Sequence, residues 1–169
     1  AATQRSPAAP ELIRDVHPGG QPWNNVDSGE ITPFVNGKAL MASSTRASGR
    51  ELFVTDGTAA GTRLLVDIEP GPTASAPSMF TRAGNLTYFT AFTSADGLEI
   101  WATDGTAAGT RRVTDLVPGP VSSQPFHLTA LGNQLVFFAH SAATGIELYR
   151  TDGTIQGTRL VRDINPGTA

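Results

Sequence analysis

The chain has 169 residues, of which 39% are hydrophobic and only 16% charged, with 18 glycines and 12 prolines; this is the composition of a turn-rich β protein, not of a disordered polymer. A formal charge of -3 excludes a basic surface built to neutralise phosphates, so nucleic acid is not an expected partner, and no apolar run approaches the roughly 20 residues of a membrane-spanning helix. Cysteine is absent, which removes disulfides, thiolate metal sites and cysteine nucleophiles.

In chain order, residues 1–10, AATQRSPAAP, are small, polar and proline-containing, and are expected to form a flexible segment of the kind found at a mature terminus after export or in a linker. Residues 11–169 read as a repeat domain. It opens with LIRDVHPG at 12–19, which matches LLVDIEPG, RVTDLVPG and LVRDINPG further along and predicts one extra strand over 11–16. Asp15 precedes Asp67 by 52 residues, whereas later equivalents are 48 apart, so the connection QPWNNVDSGE carries the surplus.

Three copies of one phrase then follow: ELFVTDGTAAGT from Glu51, EIWATDGTAAGT from Glu99 and ELYRTDGTIQGT from Glu147. The fixed 48-residue period marks a repeat architecture, with units over approximately 30–68, 78–116 and 126–164. Turn chemistry divides each unit into four runs. In the middle copy these are MFTRAG, NLTYFTAF, LEIWAT and TRRVTDL, separated by Gly84-Asn85, by SADG and by DGTAAG. Each unit is therefore expected to be a four-stranded antiparallel meander. Leu52, Ile100 and Leu148 point to one face of the third strand, and Phe53, Trp101 and Tyr149 to the other. Bulk on both faces predicts a sheet packed between two layers.

The motif and its companion DIxPG resemble the ELWxxDGT repeat family, bacterial exported or surface-associated proteins that carry the phrase in tandem. The resemblance covers residues 11–167, with Phe53 and Tyr149 in place of the motif's tryptophan. It implies a bacterial, secreted, periplasmic or cell-surface location and no established reaction. The expected fold is all-β, with three β-propeller blades plus the extra N-terminal strand. Propellers close with about four to eight blades. Three blades predict either homo-oligomerisation, with a dimer that closes a six-bladed ring favoured, or a fragment of a larger propeller. The alternative fold is a β-trefoil, which also builds one domain from three four-stranded units.

Among candidate site residues, Asp56, Asp104 and Asp152 could make TDGT a calcium loop, but each turn supplies a single carboxylate, so the expected role is an Asx turn. Asp67, Asp115 and Asp163 alternate onto the face of Leu65, Val113 and Val161 and are expected to be partly buried, tying down the following Pro-Gly corner. Glu51, Glu99 and Glu147 are expected to pair with Arg63, Arg111 and Arg159 on the neighbouring strand. His17, His127 and His140 fall at unmatched positions, and no metal, nucleophile or phosphate motif appears, so neither a metal nor a cofactor is expected. Trp23, beside Asn24 and Asn25, could offer a sugar platform or could plug the gap between units, as Phe126 is expected to do. The expected function is thus a non-enzymatic binding module for a glycan or protein on its loop face; the alternative is a structural segment that self-assembles.

Overall fold

The computed structural model describes residues 31–164 and 166. They form three four-stranded antiparallel sheets and a single 3-10 turn, Val35–Gly37. The first sheet comprises β1 (Ile31–Pro33), β2 (Ala39–Thr45), β3 (Gly49–Thr55) and β4 (Arg63–Val66). The second comprises β5 (Ser78–Ala83), β6 (Leu86–Thr93), β7 (Gly97–Thr103) and β8 (Arg111–Arg112). The third comprises β9 (Phe126–Leu131), β10 (Gln134–Ser141), β11 (Gly145–Thr151) and β12 (Arg159–Arg162). Strand order within every sheet follows chain order, which is the predicted meander. The extra strand expected at 11–16, with Asp15 and His17, and the connection holding Trp23, Asn24 and Asn25 lie outside the described residues.

The expected fourth strand is shortened in the second sheet. Arg111 and Arg112 pair with Ala102 and Trp101, and the ladder then stops. Val113 still donates its N–H to Ile100 O, but the Ile100 N–H goes to Thr114 Oγ1 at 2.8 Å, so a side chain takes the ladder's place. Val66 and Arg162 occupy the equivalent position in the other sheets, have no hydroxyl, and end regular strands there.

Alternation along the strands gives each sheet two apolar faces, and two buried clusters form between successive sheets. Leu40, Ala42, Leu52, Val54 and Leu65 of the first sheet join Phe80, Phe89 and Ala91 of the second, with Trp101 packed alongside. One period later, Tyr88, Ile100, Ala102 and Val113 of the second sheet join Leu135, Phe137, Ala139 and Tyr149 of the third. The second sheet is therefore buried on both sides, as the doubly apolar third strand predicts. Its aromatic rings pack by stacking: Phe80 on Phe89 at 5.5 Å between centroids and, in the next layer, Phe137 on Tyr149 at 5.9 Å. Among the described residues no hydrogen-bonded ladder joins one sheet to another, so no barrel of the trefoil kind forms.

Candidate functional site

The repeated phrase is resolved first by its turn. Asp56 Oδ1 accepts hydrogen bonds from the Thr58 N–H at 2.9 Å and the Thr58 hydroxyl at 2.6 Å. Thr58 Oγ1 in turn accepts the Gly61 N–H at 3.0 Å, and the Thr62 hydroxyl contacts both Thr58 O and Thr55 Oγ1 at 2.7 Å. The same Asp-to-Thr and Thr-to-Gly bonds recur at Asp104 and Asp152. These bonds hold all three carboxyls below their usual range, with the threonine hydroxyl as the largest cause and its backbone amide next. A Cβ at Gly61, Gly109 or Gly157 would overlap that carboxylate, which is why the second glycine of the phrase recurs. The aspartates are occupied as Asx turns, the structural role expected of them.

The leading glutamate of the phrase behaves differently from the sequence expectation. Glu51, Glu99 and Glu147 are buried, and Arg63 lies opposite Val54 in the register, not opposite Glu51. Glu51 accepts the Ile68 N–H at 2.9 Å, the Ser75 N–H at 2.7 Å and the Ser75 hydroxyl at 2.5 Å. Glu99 accepts the Thr114 hydroxyl at 2.6 Å, the Ser123 N–H at 3.0 Å and the Ser123 hydroxyl at 2.7 Å. Desolvation pushes the Glu51 and Glu99 carboxyls above their usual range despite these donors, and Asp67 and Asp115 add to the push. Glu147 accepts the Ile164 N–H at 2.7 Å.

Those serines lie in the linkers between sheets. The linker after β4 also donates Ala76 N–H to Arg50 O of the first sheet, and Ser75 O accepts Phe92 N–H of the second. Gly49 makes the approach possible: a Cβ there would sit 2.7 Å from Thr73 O. Ser123 O likewise accepts His140 N–H, so Glu51 and Glu99 each fasten the strip of chain that fastens two sheets. The signal was present in the sequence as Ser75 and Ser123, one period apart, but nothing local ties them to a glutamate 24 residues earlier.

Asp67, Asp115 and Asp163 are half-buried, as expected, and Asp67 reaches its Pro-Gly corner, where Oδ2 accepts the Gly71 N–H at 3.4 Å, while most of the corner after Asp163 lies outside the described residues. Asp115 Oδ2 instead pairs with Arg112 at 3.1 Å, and Arg112 also bridges to Asp96. Oδ1 of each aspartate is buried with no hydrogen-bond partner among the described residues. No group of three or more metal-ligating side chains occurs among the described residues, and His127 and His140 do not converge on one. No described helix is long and apolar enough to cross a membrane.

The third sheet, the last of the three, carries an exposed apolar surface, of the kind that an unclosed run of sheets leaves at its ends. Val161 is 48% exposed, whereas its equivalents Val113 and Leu65 are 0% and 6% exposed; Ile164 is 57% exposed, whereas Ile68 is 7%. Among the described residues this face has no covering sheet, whereas the face that carries Leu52 or Ile100 in the other sheets is covered by the next sheet. Phe126 does not plug a gap between units. It stacks on Phe138 at 5.6 Å on this open face. With Ile146, Glu147 and Ile164 the two rings line an apolar cavity of about 280 Å³.

Searches of the chain against protein-family models, curated proteins and solved structures find no match.

Proposed function

We propose that the chain is a non-enzymatic interaction module, a run of propeller-type blades that meets a protein partner through the open face of its third sheet. Resemblance to the ELWxxDGT repeats supports the blade reading and a bacterial exported or surface location. The observation that carries the proposal is the exposure of Val161, at 48%, where the same position in the other two sheets is closed. Exposed contiguous apolar surface of this kind marks interaction sites in soluble proteins. The carboxylates of the repeated phrase accept hydrogen bonds in turns and linkers, which supports a structural role for them. A glycan platform at Trp23 draws no support from the described geometry, since that residue lies outside it.

Covalent carbene footprinting of nanomolar protein tests the reading. The expected result is heavy labelling of Ile146, Val161 and Ile164 and none of Leu52, Leu65 or Val113. Protection of Val161 and Ile164 at that dilution would overturn the proposal, because the face would then be covered within the single chain.

A further inference from the structure

We propose that Asn36 is a site of spontaneous covalent modification, where ring closure by Gly37 releases ammonia and leaves aspartyl and isoaspartyl forms of the β1–β2 turn. Asn36-Gly37 is the one Asn-Gly step in the sequence, and glycine has no side chain to shield its backbone nitrogen. The chemistry balances with water as the sole co-reactant. The Gly37 nitrogen gives up its proton and bonds to Asn36 Cγ, the bond from Cγ to the amide nitrogen breaks, and ammonia leaves. Water then opens the five-membered imide at either carbonyl. Attack at Cγ leaves an aspartate, whereas attack at the backbone carbonyl carries the main chain through Cβ and Cγ as an isoaspartate.

Asn36 and Gly37 are both exposed, both have positive φ (58° and 71°), and a Cβ added at Gly37 would meet nothing within 4 Å. They are the central residues of a type I′ hairpin turn, closed by Lys38 N–H to Val35 O at 3.3 Å. Among the described residues no side chain holds the Asn36 amide or the Gly37 N–H. With ψ at 38° the Gly37 nitrogen lies nearly anti to Asn36 Cβ, so ring closure waits for the turn to open. Opening costs little, because β1 has three residues, lies at the sheet edge and pairs with β2 alone among the described strands. The three Asp-Gly steps are protected. Gly57, Gly105 and Gly153 each donate their N–H to the threonine before the aspartate, at 3.0, 3.0 and 3.1 Å. The neighbouring carboxyl, held below its usual range, is the unreactive carboxylate. Asn85 and Asn133 precede Leu86 and Gln134, whose side chains shield the attacking nitrogen.

The modification has a structural target. Phe34, two residues before Asn36, is buried and lies against Gly105 of the second sheet, where a Cβ would overlap its ring. An isoaspartate adds a methylene to the main chain between Phe34 and Lys38 and breaks the geometry of a two-residue turn, which loosens the first sheet's hold on the second. The aspartyl form keeps the turn, since aspartate tolerates the left-handed region.

Prolonged incubation of the whole chain at mildly alkaline pH, followed by peptide mapping with mass spectrometry and isoaspartate-specific enzymatic methylation, tests the proposal. The expected result is the mass gain of NH2 replaced by OH at Asn36, with none at Asn85 or Asn133 and no isoaspartate at Asp56, Asp104 or Asp152. Folding should slow the reaction by about a hundredfold or less relative to the chain in urea, because only the hairpin must open. Slower conversion than that, or faster conversion at any of those other positions, would overturn the assignment. Asn36→Gly reproduces the glycine of Gly84 and Gly132, whose φ of 60° matches, so it is expected to fold and to abolish the mass gain. A gain that persists in that variant would also overturn it. In isoaspartyl protein the Phe34 amide, which donates to Lys38 O at 2.7 Å, should exchange its hydrogen faster than in the aspartyl form. Equal exchange would overturn the coupling to the second sheet.

Discussion

Glu51 Oε1 accepts the backbone N–H of Ser75, 24 residues downstream, at 2.7 Å, and Glu99 does the same for Ser123 at 3.0 Å. In each case the acceptor is fully buried at the root of one sheet and the donor lies in the linker that stitches it to the next. The glutamate of the repeated phrase is therefore a structural staple between units.

Replacing Glu51 with Gln is expected to destabilise the chain by about 2–4 kcal/mol, because an amide NH2 group would face the donors of Ile68 or Ser75 and leave buried groups unpaired. Urea unfolding of Glu51→Gln, with Arg63→Gln as the comparison, checks this. An equal effect from the arginine substitution would favour cross-strand pairing over the staple.

The two sets of carboxyls predict opposite pH effects. Glu51 and Glu99 are raised from 4.5, so their contribution is complete below pH 4.5 and is lost as pH rises through their folded values. Asp56, Asp104 and Asp152 are lowered from 3.8, so theirs is complete above pH 3.8 and is lost as pH falls through their folded values. For these five groups stability is expected to rise on acidification from neutrality toward pH 4.5 and to fall below pH 3.8. Urea midpoints across that range test it, and the rise should vanish in Glu51→Gln/Glu99→Gln.

Gly109→Ala should cost about 1–3 kcal/mol, since the new methyl group overlaps the Asp104 carboxylate. The cost should shrink in an Asp104→Ala background, where the overlapping group is gone. Additive losses in the double-mutant cycle would show that backbone conformation, not the carboxylate, demands the glycine.

Tyr88 is fully buried, its hydroxyl has no hydrogen-bond partner among the described residues, and desolvation beside Asp152 pushes its pKa up to about 12, with Arg111 opposing. Tyr88→Phe removes an unsatisfied polar group and is expected to be neutral or to stabilise by about 1 kcal/mol in chemical denaturation. A clear loss of stability would reveal a partner for that oxygen.

Ile100→Ala should cost about 2–5 kcal/mol, because the residue is closed between two sheets. Leu148→Ala, one period later on the open face, should cost about half as much in dilute protein. Equal losses would mean that the third sheet is covered as fully as the second.

Strand positions, the 48-residue period and the Asx turns were legible in the sequence because each depends on residues within a few positions of one another: alternation sets the faces, and Asp56, Thr58 and Gly61 close their own turn. The destination of Glu51 was not legible, because its donors arrive only after the chain has left the first sheet and crossed toward the second. Nor could sequence separate Val113 from Val161, the same residue one period apart. Burial is a property of the neighbour, and only the stacking of the sheets decided that one valine would meet another layer while the other met water.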